Sequence, residues 1–434
     1  MQEEFSKNII RDSKLLSICI PTYNGAKSIE KNIDTIIKQI EEEKLNCVEI
    51  IVSDNCSTDD TPNIMNAYIK KHKDLIIYSR NKSNVGYDRN VDLCCALAKG
   101  KFIHILGDDD YYSFKGLKRL CAVLKEYPDL SLVVLSNYYL RVKHYGQIVS
   151  RKHINTKFVI KDKFYKNDCD SFMIDVEDRI WLVSNIVFKK ECHEKIPNLK
   201  QFYKKDWIHI YMVLYIAKRW QNCYIFADKY PIIVATVDTQ AWLNNTDGPR
   251  IYFNNIWIYS FANELGYDPK VFKVYSKHML KDYIKNISYK RSKGLLTNIK
   301  YIFKYFRYWF NEPLFYCRFI PKLLLPEIVI SLLRGRRHKK EGPKKLECLQ
   351  SIADVEVVVL CNEVGRFEQF VSGSSYNGMY ENLKLLYEKK YVSDEFYKLV
   401  SRLRYKKLVP YSTYVLHQQY YAGLVEHYSK IRNL

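Results

Sequence analysis

Three consecutive carboxylates, Asp108-Asp109-Asp110, follow the apolar run Phe102-Ile103-His104-Ile105-Leu106 after a single residue, Gly107. A run that short, with β-branched residues, predicts a buried strand. Carboxylates at the end of such a strand lose solvation and repel one another, so they need a cation or a dense set of donors. Hard oxygen ligands suit Mg²⁺ or Mn²⁺. Mg²⁺ takes one or two carboxylates and completes its shell with phosphate oxygens. The triplet therefore points to a divalent ion on a diphosphate, where the ion neutralises charge developing on a departing phosphate. The competing reading is a solvated acidic turn that caps the next helix.

Other residues extend that chemistry. Asp54 directly follows the apolar run ending at Val52 and Ser53. It can accept the imide N–H of a base or a ribose hydroxyl, or it can close an Asx turn. Asn84-Val85-Gly86 precedes Arg89 and Asn90. Gly86 permits close backbone approach. Arg89 can pair with a diphosphate or with the carboxylates at the strand ends; a structural ion pair is the plainer alternative. Transfer to a hydroxyl also requires a base. Asp206, at an expected helix start, is the first candidate and His209, one turn on, the second. Asp206 serves equally well as a helix cap. Asp175, Glu177 and Asp178 are further acids in the same half.

These residues need a frame that gathers them. Leu15–Ile20, Val48–Val52, Leu75–Tyr78, Phe102–Leu106 and Leu132–Leu135 read as strands. Between them, Ile29, Ile33, Ile36, Ile37 and Ile40 recur at helical spacing. Further helices are expected from Thr61-Pro62 to about Lys71, from Asp88 to Lys99, and from Gly116 to Tyr127. Strands alternating with helices predict an α/β fold with an open, doubly wound, mostly parallel sheet. Its loops at about 21–25, 53–60 and 107–112 then leave one edge together. Beyond residue 136 the pattern loosens. Ile174–Lys190 holds a helical stretch and the apolar run Ile180–Val183. Cys223–Ala227 and Ile232–Val237 read as strands, and 250–285 reads as helix.

The chain has 434 residues and a net charge of +21. That surplus favours anionic partners: phosphorylated substrates, nucleic acid or an anionic lipid surface. Lys290–Lys345 alone carries 15 Lys and Arg against Glu312, Glu327 and Glu341, so the excess lies outside the expected sheet. Within it, Phe319–Leu333 is apolar but broken by Pro321, Lys322, Pro326 and Glu327, and at 15 residues it is shorter than a membrane span. Mean hydropathy of −0.31 argues against a multi-span protein. Twelve Cys without metal-type spacing read as reduced, small apolar residues of a cytosolic protein. The polar, acidic start shows no signal-peptide pattern. No nucleic-acid-binding motif accompanies the charge, so nucleic acid is not an expected partner. A nucleotidyltransferase would carry a Gly-rich basic loop near its start, which Pro21-Thr22-Tyr23-Asn24-Gly25 does not resemble.

Four segments together resemble a family. Leu16–Asn24, Val48–Asp59, Asn84–Asn90 and Leu106–Asp110 are similar, in order and spacing, to the motifs of family 2 glycosyltransferases with the GT-A fold. The Gly-Asp-Asp-Asp form and Asp88-Arg89-Asn90 resemble the abequosyltransferase-like branch, associated with bacterial O-antigen and capsule assembly. The resemblance implies a nucleotide-sugar donor, a glycan acceptor that is polyprenyl-diphosphate-linked, Mg²⁺ or Mn²⁺, and inversion at the anomeric carbon. It places Pro21, Thr22 and Tyr23 against the base, Asp54 on base or ribose, and Asn84, Gly86 and Arg89 beside the donor. Asp108 would touch the ribose, Asp109 would bind the metal and Asp110 would assist. The family's base belongs to a Glu-Asp pair, whereas Lys205 precedes Asp206 here. The implied organisation is a GT-A domain over 1–240 (nucleotide half 15–136, acceptor half 137–240). A helical, basic, membrane-surface segment follows at 241–345, then a small helical tail at 346–434. The implied location is cytoplasmic, peripheral on the inner face of the cell membrane.

Overall fold

The computed structural model describes residues 14–143, 147–152, 159, 161–228, 231–236, 248–290 and 295–324, together with three short strands between 357 and 410. The chain opens with β1 (Leu16–Thr22), α1 (Ile29–Glu42), β2 (Val48–Asp54), α2 (Thr61–Lys71), β3 (Ile76–Arg80), α3 (Tyr87–Ala96) and β4 (Phe102–Ile105). Each predicted strand and helix of this stretch is present. The short pair-forming β5 (Tyr111–Tyr112), α4 (Gly116–Glu126) and β6 (Leu132–Val134) complete the nucleotide half.

The second half contributes β7 (Asn137–Lys143), β8 (Gln147–Lys152), β9 (Lys163–Lys166), α5 (Cys169–Val176), β10 (Ile186–Lys189), α6 (Lys190–Glu194), α7 (Ile208–Trp220), β11 (Asn222–Ile225) and β12 (Ile233–Thr236). Then come α8 (Gly248–Glu264), α9 (Pro269–Lys290), α10 (Leu295–Trp309), a π-helical turn (Phe315–Phe319) and α11 (Ile320–Leu324). In the tail, β13 (Val357–Cys361), β14 (Leu383–Tyr387) and β15 (Leu408–Pro410) pair in parallel. The rest of the tail, 346–434, for which a small helical domain was expected, lies outside the described residues.

The main sheet runs β3-β2-β1-β4-β10-β6-β11-β9. β3, β2, β1 and β4 are parallel, and β10 runs antiparallel between β4 and β6. The sequence reading did not foresee β10. The apolar run Ile180–Val183 just before it lies across two 3-10 turns, Glu177–Trp181 and Val183–Asn185. Four apolar residues do not separate a strand from a buried turn. The order 3-2-1-4 means that the chain winds away from β1 in both directions. The loops after β1 and β4 therefore part, and open a crevice at the C-terminal strand ends.

Both faces of the sheet are covered. Ile18, Ile20, Ile50 and Val52 pack against the Ile stripe of α1. On the other face, one apolar cluster runs from Cys19 and Ile105 through α7 to Tyr259, Tyr283, Trp309, Phe319 and Leu323. The helices after residue 248 thus share the sheet's own core. Arg179 and Asp228 form a buried ion pair at 2.5 Å within the second half. No helix among the described residues is long and apolar enough to cross a membrane.

Candidate active site

Thr22 pairs in register with Asp54, so β1 and β2 end side by side. Their loops are laced together. Asn24 N–H donates to Ser57 Oγ at 2.8 Å, Thr58 N–H to Asn24 Oδ1 at 2.8 Å, and Ala26 N–H to Asp59 Oδ2 at 3.0 Å. Tyr23 stands exposed at the tip. Thr22 Oγ1 then donates to Asp108 Oδ2 at 2.5 Å, which brings in the acidic loop from β4. A Cβ on Gly25 would collide with Thr22 Oγ1 and lie 2.5 Å from Asp108 Oδ2. A side chain at Gly25 would therefore force Thr22 and Asp108 to shift.

The triplet divides by depth. Asp108 and Asp109 are half-buried, while Asp110 is buried. Burial, and next the charge of Asp109, push the Asp108 carboxyl up to about 7. The same two causes push Asp110 well above the usual carboxylate range. Ser184 hydroxyl donates to Asp110 Oδ2 at 2.5 Å, and Thr236 N–H donates to Oδ1 at 3.0 Å. Asp110 is thus turned inward and fastens the loop after β4 to the Ser184 turn and β12.

Three further residues hold that loop, and composition alone did not single them out. Asn32 on α1 donates from Nδ2 to the carbonyls of Gly107 and Asp110, at 2.9 and 2.6 Å. Ser184 Oγ also accepts Gly107 N–H at 2.9 Å. His104 Nε2 meets the Ser184 carbonyl at 2.8 Å, and its Nδ1 meets the Tyr112 hydroxyl. Burial pushes His104 down to about 4, so it is neutral at pH 7 and its Nε2–H donates. The one available signal was polar residues inside apolar stripes: Asn32 beside Ile29 and Ile33, and His104 within its strand.

The remaining pair of carboxylates fits a hard divalent ion. Among the described residues no cluster of three or more His, Cys, Asp or Glu makes a complete cage. An ion held by Asp108 and Asp109 would need ligands from a bound diphosphate, which is how Mg²⁺ sites on nucleotides are commonly built.

Asp54 is fully buried. Its Oδ1 accepts Ser57 N–H at 2.8 Å and its Oδ2 accepts the Tyr78 hydroxyl at 2.7 Å. Arg80 Nε lies 3.4 Å from the same Oδ2. The local-turn reading of Asp54 is therefore realised, and Tyr78 and Arg80 are the partners that sequence reasoning missed.

Amide side chains bind the third loop to β2. Asn84 Oδ1 accepts Asn55 Nδ2 at 2.9 Å and Gly86 N–H at 3.0 Å. Asn90 Oδ1 accepts Ser53 hydroxyl at 2.8 Å and Asn81 Nδ2 at 2.9 Å. Gly86 adopts φ +85°, a region that L side chains rarely enter. Arg89 is exposed and forms no ion pair among the described residues, contrary to its structural alternative.

Asp88, buried beside them, accepts N–H groups from Lys205, Asp206 and Ile208 at 2.7, 2.8 and 3.1 Å. One carboxylate thus joins the start of α3 to the start of α7. Burial pushes Asp88 up to about 6 even against those donors. Asp206 is not the cap of α7, because Asp88 takes that part from outside the helix. Asp206 instead sits at φ 70° with its carboxylate 2.8 Å from Arg250 Nη1. His209 is buried, with Nδ1 3.4 Å from the Tyr87 hydroxyl. Burial pushes it down to about 3. Its burial sets it apart from Asp206, whose carboxylate is part-exposed. Asp175 accepts from Lys163 Nζ and Tyr165 hydroxyl at 2.8 and 2.6 Å. Glu177 and Asp178 face His278 on α9 at 3.6 and 3.8 Å. All three acids fasten elements together.

Residues 17–178 match the family model described as glycosyl transferase family 2. The chain carries a family 2 glycosyltransferase domain and is a glycosyltransferase. Its sheet is the mostly parallel GT-A arrangement. This glycosyltransferase is 26% identical to the abequosyltransferase RfbV of Salmonella typhimurium, over 66% of this chain and 83% of that one. It is 33% identical to the poly(ribitol-phosphate) beta-glucosyltransferase of Bacillus spizizenii, over 26% of this chain and 17% of that one. Among solved structures it is similar to residues 1–349 of S. aureus TarS in complex with UDP-GlcNAc, at a TM-score of 0.49 and 15% identity. That likeness covers 68% of this chain and 80% of the other.

Proposed function

We propose that this glycosyltransferase moves a sugar from a nucleotide-sugar donor to a hydroxyl of a glycan acceptor, carried on a lipid, during assembly of a bacterial surface polysaccharide. The observation that carries the reading is the contact from Thr22 to Asp108. It brings the base-side turn and the acidic loop into one crevice, at the edge where a nucleotide would lie. The relatives named for abequose and for poly(ribitol phosphate) support a glycan or polyol-phosphate acceptor.

In this reading the buried turn at Asp54 and the exposed ring of Tyr23 receive the base. Asp108 turns toward the ribose, held by Thr22. Asp108 and Asp109 would hold Mg²⁺ or Mn²⁺, which when bound supplies Lewis-acid stabilisation of the leaving diphosphate. Arg89, exposed above Gly86, adds a positive charge at the same edge. Asp206 takes the proton of the acceptor hydroxyl, and Arg250 holds its carboxylate in position. Direct attack by that hydroxyl inverts the anomeric carbon. The basic helices after residue 248 bring the enzyme to an anionic membrane surface, where the lipid-linked acceptor lies.

Thermal unfolding in the presence of UDP-, GDP-, CDP- and dTDP-sugars, with and without Mn²⁺, tests the proposal. One donor is expected to raise Tm in a Mn²⁺-dependent way, and Asp109→Ala is expected to abolish the rise. No response to any nucleotide would overturn it. Release of pyrophosphate during turnover would replace it with nucleotidyl transfer.

A further inference from the structure

Lys281, Ile284 and Lys285 share one face of α9 through their spacing of three and four. Leu314, just ahead of the π-helical turn, and Arg318 within it join them, and α11 adds Lys322. Together these six residues line an open groove of about 250 Å³. Four of the six are cations and none is an acid. Lys322 Nζ donates to the Ile284 carbonyl at 3.1 Å, which ties α11 to α9 along one wall. Ile284 and Leu314 leave an aliphatic floor. Cations gathered from three separate elements repel one another unless an anion shares them.

The same turn adjoins a second feature. α10 is aromatic on two sides. Tyr301, Tyr305 and Trp309, four apart, are buried in the core. Phe303 is 75% exposed, and Phe306 and Phe310 are each 49% exposed. Their spacing of three and four makes a stripe along one side of the helix. Tyr316 extends it, with its hydroxyl donating to the Phe310 carbonyl at 2.7 Å. Lys300, Lys304 and Arg307 lie among these rings in the sequence. An exposed aromatic stripe bordered by cations has the composition of a helix lying in a membrane interface.

We propose that the groove is a binding site for the phosphate of an anionic membrane lipid, with the aromatic stripe entering the boundary between headgroups and acyl chains. Charge decides the occupant: a lining of four cations, two aliphatic side chains and no acid selects an anion, and the aliphatic floor with the neighbouring rings selects one attached to a hydrocarbon phase. The inference gives a site to the membrane docking proposed above and does not depend on the transfer chemistry.

The full chain is sedimented with vesicles of phosphatidylcholine, alone or mixed with phosphatidylglycerol. Binding is expected only to the mixed vesicles. At about 1 kcal/mol per cation near such a surface, Lys281→Gln/Lys285→Gln/Arg318→Gln is expected to weaken partition roughly a hundredfold. Phe303→Ser/Phe306→Ser is expected to weaken it about tenfold, and Arg318→Lys to retain it. An unchanged Tm, and an unchanged response to nucleotide-sugars in the groove variant, show that it folds. Wild-type partition by that variant would overturn the proposal. So would capture of generic RNA in place of vesicles. Binding of inorganic pyrophosphate by the groove, with no partition to vesicles, would reassign it to a soluble anion. Absence of any nucleotide-sugar response in the wild type would remove the transfer reading and leave the lipid site standing.

Discussion

At the scale of single residues, the site is governed by how much room each carboxylate has. Asp108 is fixed by Thr22, and Gly25 leaves the space for that contact. Gly25→Ala is therefore expected to push Asp108 off Thr22 and to lower kcat/KM by at least about tenfold, as a misplaced binding group does. Steady-state kinetics beside a thermal melt check this: a loss of activity without a loss of fold is the expected pattern. Asp206→Asn is expected to reduce kcat by about 10²–10⁴, the usual range for a lost base, with donor affinity unchanged. An unimpaired Asp206→Asn enzyme would dismiss Asp206. Ser184→Ala leaves Gly107 N–H and the Asp110 carboxylate each short of a buried partner. It is expected to cost about 1–3 kcal/mol in urea unfolding.

At the scale of elements, the joint between α3 and α7 stands out. Asp88 accepts the Ile208 N–H, which α7 cannot satisfy internally, and the N–H groups of Lys205 and Asp206 just ahead of the helix. Asp88→Ala is expected to destabilise the fold by about 2–4 kcal/mol and to displace Asp206. The same residue has a pH signature. Its folded pKa of about 6 lies above the unfolded value of about 3.9, so the folded state binds the proton more tightly. Ionising Asp88 therefore costs stability as pH rises from about 4 to 6, and below that window the cost vanishes. Urea stability measured across pH 4–6 is expected to fall more steeply for the wild type than for Asp88→Asn. Identical slopes would show that Asp88 does not titrate there.

At the scale of the whole molecule, the C-terminal helices and the sheet share one apolar cluster. Trp309 is fully buried in it, with its indole N–H on Ser276 Oγ at 2.9 Å and a stacked Tyr305 4.7 Å away. Trp309→Ala is expected to cost about 3–5 kcal/mol. Because the core is continuous, calorimetry is expected to show that loss in one cooperative transition. Two separated transitions would mean that the helices after residue 248 fold apart from the sheet. This packing also gives a reason for the many tyrosines: Tyr252 stacks on Tyr283, and Tyr259 on Tyr275, at 4.1 and 4.3 Å.

The residues themselves determined the parallel strands β1 to β4, the helices between them, and the gathering of Pro21, Asp54 and the acidic triplet at one edge. Those features follow from short-range rules: period, breaker residues, and the fact that parallel strands send their following loops to the same side. Tertiary structure alone decided the rest. Asp108, Asp109 and Asp110 look alike in the chain, and only burial against Ser184 and Thr236 turns Asp110 inward. Asp206 and His209 are three apart on the sequence, yet one reaches Arg250 and the other is sealed beside Tyr87. β10 was hidden because so short a segment, three apolar residues and Lys189, takes its conformation from its neighbours, here β4 and β6. Ionisable groups acquire their roles from solvation and partners, and both depend on contacts across tens to hundreds of residues that no local pattern encodes.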